Sequence, residues 1–159
     1  MGKFLRVDWK EYGRLCSILS DKITMSGKQF DLVIGIARGG VPLAMVVADQ
    51  IGSRMDIINV KSYTGIMARK KPRVVSTITN KIKGKQILLI DDLVDHGDTA
   101  RFVTQYLKRM EPKSITTAVL FKKPQSTFTP DFYTRSTDKW IVFPWEIGEL
   151  KRSGNDVRL

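Results

Sequence analysis

A single cysteine, Cys16, and a single histidine, His96, stand in 159 residues. The first excludes an internal disulfide and a cysteine-built zinc site, and the second excludes a histidine pair as a metal clamp. No apolar run approaches the roughly 20 residues that a membrane span needs. Lys3 and Arg6 are not followed by an apolar stretch, so no signal peptide is visible and a cytoplasmic location is the expectation. Acids are also scarce, 16 against 27 Lys and Arg, for a net charge of +11. A surface of that sign fits nucleic acid, a small polyanionic substrate, or a merely solvated Lys/Arg face. Residues 69–85 carry seven basic side chains, no acid and no aromatic, which leaves that stretch without a ring to stack on a nucleobase.

What is present fits one globular domain, residues 1–159, with 42% hydrophobic residues. Asp8 and Glu11 have the spacing of a capping box, and Trp9, Tyr12, Leu15, Cys16, Leu19 and Ile23 recur at helical intervals, so residues 9–23 read as an amphipathic helix. Residues 31–36 read as a buried strand that ends on Ala37-Arg38-Gly39-Gly40, with Pro42 in the first turn of a following helix. A third strand is expected at 55–62, a polar basic loop at 63–72 and a β-rich arm at 73–79. Further strands are expected at 86–90 and 114–121, with a loop at 124–130 and short strands near Tyr133 and at 140–143. The tail from Gly148 is polar and charged. Alternating strands and helices predict an α/β fold, a mainly parallel twisted sheet with helices on both faces.

The run at residues 87–100, ILLIDDLVDHGDTA, carries the chemistry. Four apolar residues read as a strand buried on both faces, with Asp91 and Asp92 where it ends. Asp95, His96 and Gly97 follow as a turn, and Asp98 and Thr99 suit the cap and first turn of a helix reaching about Arg109. Ligands of open α/β sheets bind at the carboxyl ends of strands, and a glycine turn into a helix N-terminus offers N–H groups to an anion. Acids beside such a cradle point to a ligand with both hydroxyls and phosphate, such as a sugar phosphate.

This run resembles the signature of the type I phosphoribosyltransferases. The turn Ala37-Arg38-Gly39-Gly40 resembles that family's pyrophosphate loop. Lys123-Pro124, Trp140-Ile141 and Pro144-Trp145-Glu146 resemble the base-recognition segments of its 6-oxopurine branch, especially the short xanthine-guanine and hypoxanthine-guanine enzymes. The resemblance spans residues 31–146. It implies the family fold with a lid at about 63–79 and a small base-recognition hood at about 123–147. It also implies transfer of the 5-phosphoribosyl group of phosphoribosyl pyrophosphate (PRPP) to guanine, hypoxanthine or xanthine, with Mg²⁺ as cofactor and a homodimer or homotetramer as the assembly.

Residue by residue, the resemblance implies that Asp91 and Asp92 hold the ribose hydroxyls, directly or through metal-bound water, and that Asp95 is the general base. Asp95, His96, Gly97, Asp98 and Thr99 would wrap the 5′-phosphate, while Ala37, Arg38, Gly39 and Gly40 would take the pyrophosphate. Ser62 and Tyr63 would open the lid. Lys123 would donate to the 6-oxo group, Trp140 would stack on the base, and the Ile141 backbone would meet its other edge. Glu146 would hold a second Mg²⁺ or face solvent. The residues alone also allow blander roles: a capped strand end for Asp91 and Asp92, an Asx-turn for Asp95, an exposed lysine pair at Lys123, and a core position for Trp140.

Two positions depart from the family pattern, His96 where threonine is usual and Asp98 where a small or basic residue is commoner. An acid in a phosphate loop is expected to turn outward, and His96 to line or flank that loop without catalysing. A regulator of the same fold, sensing PRPP or a nucleotide and binding nucleic acid, is the alternative. It is disfavoured by the absence of an added helix-turn-helix segment and by the co-occurrence of Asp95, Lys123 and Trp140.

Overall fold

The computed structural model describes residues 4–63 and 71–152. Six strands form the main sheet: β2 (Leu32–Ala37), β3 (Arg54–Tyr63), β4 (Lys71–Ser76), β5 (Gln86–Val94), β6 (Ser114–Lys122) and β7 (Phe132–Ser136), in the order β4-β3-β2-β5-β6-β7. All ladders are parallel except β3 against β4, which are antiparallel. A two-stranded parallel ladder joins β1 (Phe4–Arg6) to β8 (Trp140–Val142). The helices are α1 (Trp9–Met25), α2 (Gly40–Ile51), α3 (Asp98–Lys108) and α4 (Ile147–Arg152), and a 3₁₀ turn spans Pro144–Glu146.

Strand β2 and residues 87–90 of β5 are apolar throughout because both faces are covered. On one face α1 and α2 bury Leu15, Leu19, Leu43 and Val47 against Val33, Leu88 and Phe121. On the other, Val103 and Leu107 of α3 join Ile78 and Ile82 over Leu32, Ile34, Ile87 and Leu89. The expected α/β sandwich is therefore what forms. Stacked rings of Phe143 and Trp145, with centroids 4.8 Å apart, meet Tyr12 edge-on and tie the 3₁₀ turn to α1.

Several local expectations change. Asp8 caps α1 by accepting the Glu11 N–H at 2.8 Å. The Glu11 carboxylate does not complete a capping box, because Arg14 at 2.7 Å and Arg135 at 3.1 Å take it. Strand β5 runs to Val94, four residues past Ile90, because β6 goes on pairing with it as far as Val94↔Lys122. Asp91 and Asp92 thus lie within the strand and not after it. The cap of α3 is Gly97, in the left-handed region at φ 96°, with no side-chain cap bond, so Asp98 is the first helical residue and not the cap. Strand β1 and helix α4 were not legible in the sequence at all. The expected arm is realised as β4, while residues 64–70 of the expected lid and residues 153–159 of the tail lie outside the described residues.

Candidate active site

Strand order reverses between β2 and β5: from β2 the chain crosses to β3 on one side, and it later returns to β5 on the other. Such a switch point opens a crevice at the carboxyl ends of the two strands. The ladder between β2 and β5 stops at Gly35↔Ile90, so the last four residues of β5 are released on that side. The turn Arg38-Gly39-Gly40 occupies the released space, with Gly39 as the N-cap of α2 and Gly40 as its first residue. Its glycines are required by contact. A Cβ on Gly39 would collide with the Asp92 carboxylate, and one on Gly40 would sit 2.6 Å from the Ile90 carbonyl oxygen. The Ala37–Arg38 peptide is cis, and Arg38 is exposed.

Beside this turn a cavity of about 310 Å³ is lined by the unbroken run from Asp91 to Ala100. Asp91 and Asp92 are half-buried in it. Each spends one oxygen on the next backbone N–H, Asp91 Oδ1 accepting from Asp92 at 2.9 Å and Asp92 Oδ1 from Leu93 at 2.7 Å. Burial, together with the charge of Asp92, raises the Asp91 carboxyl well above the usual range. Burial also raises Asp92 to about 6, opposed by the Leu93 N–H and supported by the charge of Glu146. Paired carboxylates held at such a cost are the donor set for a hard cation or for hydroxyl donors. Among the described residues no cluster of three or more Asp, Glu, His or Cys forms a complete cage. Two carboxylates without a cage suit Mg²⁺, which commonly takes one or two carboxylates and completes its shell with water and substrate phosphate.

The rest of the cavity has the build of an anion cradle. Gly97 carries a left-handed φ, and the place of its absent Cβ is taken by Phe128. Because no side chain caps α3, its first N–H groups are left for an anion, and the helix dipole favours negative charge there. The Asp98 carboxylate turns outward, 3.5 Å from Arg101. His96 lines the cavity and is exposed, its Nδ1 3.4 Å from Asp95 Oδ2.

The loop expected at 124–130 is a strap laid along this cradle. The Lys123 N–H donates to the Val94 carbonyl at 2.9 Å, and the Thr127 N–H and hydroxyl donate to the His96 carbonyl at 3.2 and 3.1 Å. Between them Gln125 Nε2 donates to Asp95 Oδ1 at 2.9 Å, and Arg101 donates to the Thr127 hydroxyl at 2.8 Å. Gln125, Thr127, Phe128 and Arg101 were not foreseen, since no local pattern in a polar loop marks a cross-chain bond. The buried Lys123 ammonium donates to the Lys139 carbonyl, one residue before Trp140. Trp140 is 66% exposed and so is not a core residue, while Ile141 is buried. None of Lys123, Trp140 and Ile141 lines the cavity itself. Strand β1 sets Phe4 opposite Trp140 in register, and both rings are exposed. Glu146 neither faces open solvent nor projects freely: its Oε2 accepts the Phe143 N–H at 2.9 Å and closes the 3₁₀ turn. Ser62 and Tyr63 end β3, in register with Pro72 and Lys71.

The phosphoribosyl transferase domain family matches residues 8–152. The chain belongs to that family. A xanthine-guanine phosphoribosyltransferase of Gluconobacter oxydans is 31% identical over 92% of this chain and 87% of its own length. The crystal structure of a purine phosphoribosyltransferase from Pyrococcus horikoshii superposes with a TM-score of 0.82 at 32% identity, covering 91% of this chain and 95% of that one. A xanthine-guanine-hypoxanthine phosphoribosyltransferase of Helicobacter pylori, 21% identical and covering 95% and 99% of the two chains, shares the fold with a TM-score of 0.79. The switch-point cavity of this phosphoribosyltransferase is accordingly its candidate active site.

Proposed function

We propose that this phosphoribosyltransferase serves purine salvage, moving the 5-phosphoribosyl group of PRPP to an imidazole nitrogen of guanine, hypoxanthine or xanthine. One observation carries the reading: the Arg38–Gly40 turn packs directly onto the Asp91–Asp92 pair, whose strand leads into an uncapped helix N-terminus. A ligand filling that space needs a pyrophosphate at one end, ribose hydroxyls in the middle and a phosphate at the other. The relatives named xanthine-guanine and purine phosphoribosyltransferase supply the base class.

In the reaction the C1–O bond to pyrophosphate breaks and the bond from C1 to the purine nitrogen forms. Positive charge grows on the ribose ring as negative charge grows on the leaving group. N–H groups of the turn and the Arg38 guanidinium receive the leaving pyrophosphate. Asp91 and Asp92 orient the ribose hydroxyls. The N–H groups of residues 95–99, with the Thr99 hydroxyl, hold the 5′-phosphate. Asp95 accepts the proton that the purine nitrogen loses. Lys123 addresses the 6-oxo group, Trp140 stacks on the base and Ile141 meets its far edge by backbone. Asp91 and Asp92 would hold Mg²⁺, which when bound would offset negative charge on the pyrophosphate, and Glu146, whose Oε2 its own turn engages, would be a weaker ligand. Ser62 and Tyr63 stand at the entrance to the lid. The enzyme is assigned to the cytoplasm; no helix among the described residues is long and apolar enough to cross a membrane.

A panel of free bases assayed with PRPP and Mg²⁺ tests this. Guanine, hypoxanthine or xanthine should yield the 5′-monophosphate and pyrophosphate, with adenine far slower. No turnover with any purine, beside tight binding of RNA or DNA, would replace the enzyme reading by the regulator.

A further inference from the structure

We propose that Gln125 is the positioning residue for Asp95. The inference rests on the reading of Asp95 as the base that takes the purine proton. In a bare loop Asp95 would be a poor base, because its side chain is 53% exposed and would sample several rotamers in solvent. A proton acceptor must instead present one oxygen at hydrogen-bond distance from the base nitrogen, and small misplacements are costly in rate.

The structure removes that freedom from one side. Gln125 Nε2 donates to Asp95 Oδ1 at 2.9 Å, which leaves Oδ2 as the oxygen offered to the incoming purine. His96 Nδ1, 3.4 Å from Oδ2, is too distant to saturate it. A hydrogen bond between two exposed side chains is ordinarily weak, but this one starts from a fixed backbone. Two residues before Gln125, the Lys123 N–H is bonded to Val94; two residues after it, Thr127 is bonded twice to His96. Phe128 then fills the space above Gly97. The strap is pinned on both sides of Gln125, so the backbone that carries its side chain is already placed and only side-chain rotamer freedom is lost when the amide engages the carboxylate. Substrate covering the cavity strengthens the bond further by excluding water.

The alternation is informative. Residues 123, 125 and 127 face 94, 95 and 96 in turn, Lys123 by backbone, Gln125 by side chain and Thr127 by both. The strap begins at Lys123, the residue assigned to the 6-oxo group. The base-reading segment and the proton acceptor are therefore held by one stretch of chain, and a purine correctly seated at Lys123 meets an Asp95 already oriented.

The test is a cycle of four enzymes: wild type, Gln125→Leu, Asp95→Asn and the double variant, with kcat and KM for PRPP and purine measured on each. Leucine keeps the volume and removes the donor. The expected result for Gln125→Leu is a kcat about tenfold lower with KM for PRPP within about twofold, a fraction of the roughly 10²–10⁴ that general-base catalysis supplies. If Gln125 acts through Asp95, the double variant is no slower than Asp95→Asn alone, because coupled residues are not additive. Losses that multiply across the two sites would overturn the proposal, as would a Gln125→Leu enzyme with wild-type kcat while Asp95→Asn is impaired. Wild-type turnover in Asp95→Asn would instead remove the base reading itself, and the proposal with it. Gln125→Ala, compared by thermal midpoint, guards against a strap perturbed by leucine; loss of PRPP affinity in both Gln125 variants would make the residue structural and also overturn the assignment.

Discussion

Asp92 carries a carboxyl whose charge the fold holds at a cost to stability. Its carboxyl titrates near 6 in the folded, ligand-free chain, above its ordinary value, chiefly because burial penalises the charge. Between its ordinary value and about 6 the folded state keeps a proton that the unfolded state has released. That contribution to stability is complete at low pH and is lost as pH rises through about 6. Asparagine at this position never charges. We therefore expect the urea midpoint of Asp92→Asn to rise relative to wild type as pH goes from about 4 to about 7, measured without ligand. A constant difference across that range would mean that Asp92 is not desolvated. Of the site residues, the acids, the glycines of the first turn and His96 were legible in the sequence because a buried strand followed by polar punctuation marks a ligand-facing end. Gln125 was not, because its role exists only against a partner 30 positions away.

At the scale of elements, pairing decided what local pattern left open. Strand β5 outlasts its apolar run because β6 supplies hydrogen-bond partners as far as Val94, so two half-buried acids become strand residues. Strand β1 has three residues and no readable alternation, and it exists because β8 offers it an edge. The strap at 123–128 looks like a loop by composition yet is bonded at nearly every second residue to Val94, Asp95 and His96 of the cavity wall. Phe128 is the packing element of that strap. Phe128→Ala should destabilise the fold by roughly 2 kcal/mol, below the cost for a fully buried ring, since the side chain is half-buried. It should also raise KM for PRPP, since Gly97 and its neighbours lose their backing. A calorimetric scan beside a PRPP titration checks both, and an unchanged KM would separate the ring from the cradle.

For the whole molecule, the order β4-β3-β2-β5-β6-β7 matters most, because it puts the two glycine-bearing strand ends side by side. The chain also leaves large apolar side chains in solvent: Trp9 on α1 at 64%, Met45 on α2 at 61% and Val75 on β4 at 49%. Scattered singly, such side chains are ordinary on a monomer, and a second copy laid over them would bury them. Sedimentation velocity should give a homodimer or homotetramer at assay concentration, and a monomer would leave those side chains without that explanation.

By itself, the order of residues determined the alternation of strands and helices, the apolar strands buried on both faces, and the position of the acids and glycines at strand ends. Those features are local, set by hydrophobic periodicity and by the backbone preferences of glycine. Only the tertiary structure decided that Gly39 abuts Asp92, that Glu146 serves its own turn, and that Gln125 grips Asp95. The first and third are contacts between segments far apart along the chain, fixed by strand order and register, and no window of neighbouring residues shows them; the second is a bond within one turn, Glu146 to the Phe143 N–H, that exists only once the turn has formed.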